Sequence, residues 1–108
     1  REFEKLNNIH GTEHPMLLRF ITSNDYGHMG EMILPAGGYG PRCSDPDVHA
    51  GDGALYCVEG PVTVNLVDQQ ESFVLEPEDS FFLPAGTKYQ LVNFESKPIK
   101  VIFAITKL

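Results

Sequence analysis

Asp47 and His49, one residue apart in Asp47-Val48-His49, are the side chains best suited to chemistry in this 108-residue sequence. Residues i and i+2 of an extended chain point the same way, so the carboxylate and the imidazole share a face. A carboxylate beside an imidazole fixes its tautomer and raises its pKa, and a phenol across a cavity could then donate a proton, giving a metal-free acid and base pair. The other histidines, His10, His14 and His28, stand in polar text that reads as solvated arm and loop. Cys57 lies in an apolar run, where a small thiol packs like alanine. Cys43, in Pro41-Arg42-Cys43-Ser44, is the better placed of the two cysteines to react. Gly37-Gly38 with Gly40 lacks the following helix and the Lys-Ser/Thr pair that a phosphate cradle needs. Glu76, Glu78 and Asp79 read as a solvated turn.

The elements that must hold these groups are strands. No window keeps apolar residues at i, i+3, i+4 and i+7 for three turns, so the chain is expected to be all-β. Eight runs fit strands: Met16 to Thr22, Met29 to Leu34, Ala54 to Val58, Val62 to Val67, Ser72 to Leu75, Ser80 to Leu83, Tyr89 to Phe94 and Ile99 to Thr106. Turn text such as Asn24-Asp25-Tyr26-Gly27, Glu59-Gly60-Pro61 and Pro84-Ala85-Gly86 separates them, a rhythm that suits a sandwich or closed barrel. Residues 1–15 are polar and unpatterned and read as an N-terminal arm, with residues 16–108 forming the barrel. In the last run Val101, Phe103 and Ile105 take one face and Ile102 and Ala104 the other, so both faces are expected to be covered, with a homodimer as the simplest cover.

Fifteen acidic residues against eight basic ones give a net charge of −7, which opposes phosphate-led binding of nucleic acid. No apolar run reaches the roughly 20 residues of a membrane helix. Two cysteines do not make a disulfide framework, and no signal segment is visible, so a reduced, cytoplasmic setting is expected. The chain opens with Arg1 and not Met, which suggests a piece excised from something longer.

The segment Gly40 to Gly60 (GPRCSDPDVHAGDGALYCVEG) resembles the first motif of small single-domain cupins, and Glu78 to Asn93 (EDSFFLPAGTKYQLVN) resembles the second. Asp47 and His49 fall on the two histidine positions of the first motif, Gly53 on its glutamate and Gly60 on its closing glycine. Pro84 and Gly86 match Pro-x-Gly of the second, Tyr89 its histidine and Asn93 its asparagine. The resemblance implies a double-stranded β-helix, a jelly-roll barrel with its site in the open mouth. It also implies a divalent transition metal, Mn, Fe, Ni or Zn, held by three histidines and a glutamate. Of that set only His49 remains, with Asp47 and Tyr89 as oxygen candidates, so the metal site is degenerate or absent.

Alternation adds inward partners on the mapped strands: Leu55 and Cys57 with Gly53, and Leu91 and Asn93 with Tyr89. The expected site therefore has His49 and Tyr89 as catalytic pair and Asp47, Leu55, Cys57, Leu91 and Asn93 as binding residues, around a small, oxygen-rich ligand. Some sugar-nucleotide epimerases of cupin fold share this outline. Two other readings stay open. The end of the chain is similar to the dimerising cupin of centromere protein C, which implies a nuclear interaction module without catalysis. Alternatively, Cys43, Asp52 or Glu31 completes an unorthodox metal site.

Overall fold

The computed structural model describes residues 7–10, 16–40 and 47–107. Ten strands are formed: β1 (Asn7–His10), β2 (Met16–Asn24), β3 (Gly27–Leu34), β4 (Tyr39–Gly40), β5 (Gly53–Glu59), β6 (Val62–Leu66), β7 (Glu71–Leu75), β8 (Ser80–Leu83), β9 (Tyr89–Val92) and β10 (Ile99–Ile105). All eight expected runs are strands, within two residues at each end. The additions are β4 and β1, the latter inside the stretch expected as an arm. Its four polar-flanked residues carry no apolar alternation and pair with β2 through the backbone, from Asn7 opposite Arg19 to His10 opposite Met16.

The strands make two antiparallel sheets packed as a jelly roll, one ordered β1-β2-β3-β10-β5-β8 and the other β4-β9-β6-β7. Alternation decides what lies between them. Val101, Phe103 and Ile105 of β10 are buried with Leu55 and Cys57 of β5, Val62 and Val64 of β6, Leu91 of β9 and Met32 and Leu34 of β3. Removing this apolar surface from water is the main source of stability.

Gly30 sits where two strands approach too closely for a side chain. Phe20 and Phe103 both pair with it, from β2 and β10, and their rings meet edge to face with centroids 5.7 Å apart. A Cβ at Gly30 would lie 2.8 Å from the Phe103 ring and 2.4 Å from the Arg19 carbonyl.

On the outer face of the larger sheet, within the single chain, Ala104 is exposed and Ile102 half-buried. Nothing among the described residues covers β10 on that side. Phe82, Ala54, Ala104 and Met29 form a cross-strand row there. At the centre of the same face Glu31, 7% exposed, is hydrogen-bonded by Arg19, while Lys100 Nζ lies 3.9 Å from its other oxygen. A shallow groove of about 480 Å³ runs between Met29, Ala54, Phe82, Ala104 and the β2–β3 turn.

Candidate functional site

Asp47 and His49 lie in the segment that leads into β5, and Tyr89 opens β9 on the opposite sheet. Backbone pairing joins them: Asp47 N donates to the Tyr89 carbonyl at 2.8 Å, and Tyr89 N donates to the Asp47 carbonyl at 2.9 Å. That bridge brings residues forty positions apart into contact. His49 Nε2 is 2.7 Å from the Tyr89 hydroxyl and 3.4 Å from Asp47 Oδ2.

The segment carrying His49 is tied down on every side. Gly86 N donates to the His49 carbonyl at 2.9 Å and Ala85 N donates to Asp52 Oδ1 at 2.8 Å, so the Pro84-Ala85-Gly86 turn grips both ends of it. Gly51 N reaches the Lys107 carbonyl, and both the amide and the hydroxyl of Thr106 donate to the Asp52 carbonyl. Asp52, expected only as a candidate extra metal ligand, is thus a positioning residue. Its cue in the sequence was only an Asp-Gly step, which reads as an ordinary turn.

Burial governs the electrostatics. It pushes the His49 pKa below the ordinary imidazole value, and the Asp47 carboxylate opposes that shift without cancelling it. Burial also raises the Tyr89 pKa far above the ordinary phenol value, with the Asp47 charge adding to the shift, so Tyr89 keeps its proton. With Nε2 unprotonated the phenol donates to it. With Nε2 protonated the ring donates to the phenol oxygen, and the phenol proton is freed for another acceptor. The pair can therefore take up or release one proton at the His49 ring.

The shift sets a pH dependence. The unfolded chain binds a proton at His49 near pH 6.5, the folded chain only at lower pH, so the unfolded state holds more protons in the window between. His49 therefore stabilises the fold fully above about pH 6.5 and loses that contribution as pH falls through the window. In an NMR titration the His49 ring is expected to turn over below 6.5, and the Asp47→Asn variant, which loses the carboxylate that favours the charged ring, is expected to turn over lower still. A midpoint above 6.5 in the parent would contradict this balance.

The remaining expected site residues lie deeper, in the packed core. Leu55, Cys57 and Leu91 are fully buried within the packed core and are not free lining of an open mouth. Burial and the nearby Asp79 and Glu76 carboxylates raise the Cys57 pKa, outweighing the Val62 backbone hydrogen bond, which keeps the thiol protonated and unreactive. Asn93 is also fully buried, and its amide is spent on the backbone. Its Nδ2 lies 2.7 to 3.1 Å from the carbonyls of Leu34, Pro35 and Lys97, and its Oδ1 accepts from Glu95 N.

The donor set does not fit a transition-metal site of the kind that the motif resemblance implies. Among the described residues no group of three His, Cys, Asp or Glu side chains converges. Tyr89 is held as a phenol, and Asp52 and Glu31 are engaged elsewhere, by Ala85 and by Arg19 with Lys100. Cys43 lies outside the described residues. Gly53, expected as the vacated glutamate position, is opposite Ile105 of β10, and a Cβ there would lie 3.0 Å from both the Ile105 side chain and the Ala104 carbonyl. A side chain at 53 therefore requires Ile105 and the β10 backbone to give by a few tenths of an ångström.

Comparison with known proteins agrees with this fold. Solved structures that superpose on it include an RmlC-like cupin from Shewanella frigidimarina, with a TM-score of 0.75 at 20% identity over 98% of this chain and 88% of that one. The Cnp3 cupin domain of Schizosaccharomyces pombe gives 0.73 at 14% identity, over 86% of this chain and 61% of that one. The polyketide cyclase RemF of Streptomyces resistomycificus gives 0.73 at 17% identity, over 97% and 77%. No curated protein matches in sequence. The profile of the Cupin domain family matches residues 30–105, most of the barrel, and the chain belongs to that family.

Proposed function

We propose that the barrel mouth binds a small, oxygen-rich molecule and that His49 and Tyr89 act on it as a metal-free acid and base pair oriented by Asp47. The 2.7 Å contact between His49 Nε2 and the Tyr89 hydroxyl carries this reading. Tyr89 is 1% exposed, so a ligand hydroxyl or carbonyl would reach the pair from the side of the half-buried His49, where the imidazole, neutral at pH 7, accepts a proton and the phenol behind it supplies one. The RmlC-like and cyclase structures lend the fold as a scaffold for such chemistry, while the pair itself supports the assignment here.

Thermal shift with a panel of monosaccharides, sugar acids and nucleoside-diphosphate sugars tests it. A ligand at ten times its Kd is expected to stabilise the parent by about 1.4 kcal/mol. Tyr89→Phe and His49→Gln are expected to abolish the shift. A panel without effect, or a shift unchanged in both variants, would overturn the proposal.

A second reading, a dimerising interaction module, is favoured by the uncovered outer face of the larger sheet. Phe82, Tyr56 and Met29 are exposed there beside Ala54 and Ala104, and contiguous apolar surface of this kind commonly marks an interface. Five strands about 4.8 Å apart and some 20 Å long present roughly 400 to 500 Å² per copy, so two copies would bury about 1,000 Å². Light scattering at low micromolar concentration is expected to give twice the 12.0 kDa chain mass, and Ala104→Glu is expected to return it to one. A parent that scatters as a single chain would exclude this reading.

A further inference from the structure

We infer that the outer edge of β7 is a docking site for an extended basic segment of another protein, added as a further strand. This inference is independent of the mouth and of the larger sheet's outer face. The smaller sheet ends at β7, which pairs with β6 from Val62 opposite Leu75 to Leu66 opposite Glu71. Among the described residues no strand lies on its other side. Every second residue of such an edge turns its N–H and C=O away from the sheet, and these groups are a template for pairing.

Edges are commonly blunted by a lysine, a proline or a bulge. The β7 run, Glu71-Ser72-Phe73-Val74-Leu75, has no lysine and no proline, and its ladder with β6 has no register shift. It offers apolar surface instead. Val74 is 57% exposed on the outer face and Phe73 39% exposed at the gap between the sheets, where its ring meets Phe81 of β8 at a centroid distance of 5.5 Å.

Charge selects the occupant. No lysine or arginine occurs from Cys43 to Thr87, a stretch that holds nine of the fifteen acidic residues. Glu71 begins β7, Asp68 precedes it, and Glu76, Glu78 and Asp79 follow it. Lys88, with Nζ 4.0 Å from Asp68 Oδ1, offsets one of these five. Two copies meeting edge to edge would oppose like charges, which disfavours self-pairing at this site. A strand that alternates apolar and basic residues would instead set its apolar side chains on the outer face beside Val74 and its cations on the other face beside Glu71, with main-chain hydrogen bonds supplying the pairing.

The test uses the intact chain and three eight-residue peptides: alternating lysine and valine, alternating glutamate and valine, and alternating lysine and serine. Amide NMR is expected to show the lysine–valine peptide shifting residues 71–75, slowing hydrogen exchange at alternate β7 amides, and binding more weakly as salt rises from 0.05 to 0.5 M. The Glu71→Lys/Glu76→Lys double variant, which alters exposed side chains only, is expected to weaken binding about tenfold. Equal binding of the lysine–serine peptide would reduce the effect to bulk charge and overturn the inference. Binding of the glutamate–valine peptide, shifts centred away from β7, or unchanged β7 exchange would do the same.

Discussion

Asn93→Leu is expected to lower the midpoint of thermal unfolding by roughly 10 to 15 °C. The side chain is fully buried and smaller than leucine, so lost hydrogen bonds and crowding act in the same direction. Nδ2 has two hydrogens and serves the carbonyls of Leu34, Pro35 and Lys97, which binds the end of β3 to the loop between β9 and β10. Oδ1 serves Glu95 N in that loop. Leucine leaves these groups without their partner, and buried unmet groups cost about 1 to 3 kcal/mol each before water and relaxation recover part of it. A net loss of about 3 kcal/mol converts to the stated shift for a domain of this size. A change under about 3 °C would show that water replaces the amide and that Asn93 is no structural anchor.

Gly30→Ala is expected to cost about 3 kcal/mol, an effect out of proportion to one methyl group. The added carbon would lie 2.4 Å from the Arg19 carbonyl and 2.8 Å from Phe103 Cζ, so a strand and an aromatic ring must both move. Phe103→Leu removes the ring and half of the conflict. A double-mutant cycle between the two substitutions should therefore show favourable coupling of about 1 kcal/mol, with the Arg19 carbonyl keeping the double variant less stable than Phe103→Leu alone. Additive costs would mean that the backbone approach from β2, and not the ring, dictates glycine. Denaturant unfolding of the four proteins decides between them.

How much of this was legible beforehand follows from what each residue answers to. Eight strands were readable because their apolar residues meet a core, and that leaves a period of two in the text. Asn7–His10 and Tyr39–Gly40 were not, because each is held by a neighbour's backbone and its own side chains carry no pattern. The resemblance to the two cupin motifs is what placed Asp47, His49 and Tyr89 together. The same resemblance misread Asn93, which follows Leu91 in alternation but lies past the last ladder residue, Val92, where the chain turns and the side chain is used to hold that turn. Gly53 was read as a lost metal ligand, yet its neighbour Ile105 is supplied by a strand register that only the folded sheet reveals.

The position of β10 governs how this chain can be assembled. It is last in sequence yet lies between β3 and β5 in the middle of the larger sheet, pairing with both. During synthesis β2 and β3 can close as a hairpin, and β6 and β7 as another, but the seam that joins β3 to β5 does not exist until Ile99–Ile105 has emerged. The apolar faces of Met32, Leu34, Leu55 and Cys57 wait for it. Closure of the larger sheet therefore waits on Ile99–Ile105, a long-range pairing of the kind that makes β-rich topologies slow. A nascent chain stalled before Ile99 presents two unjoined sheet fragments to the chaperone machinery of the cell.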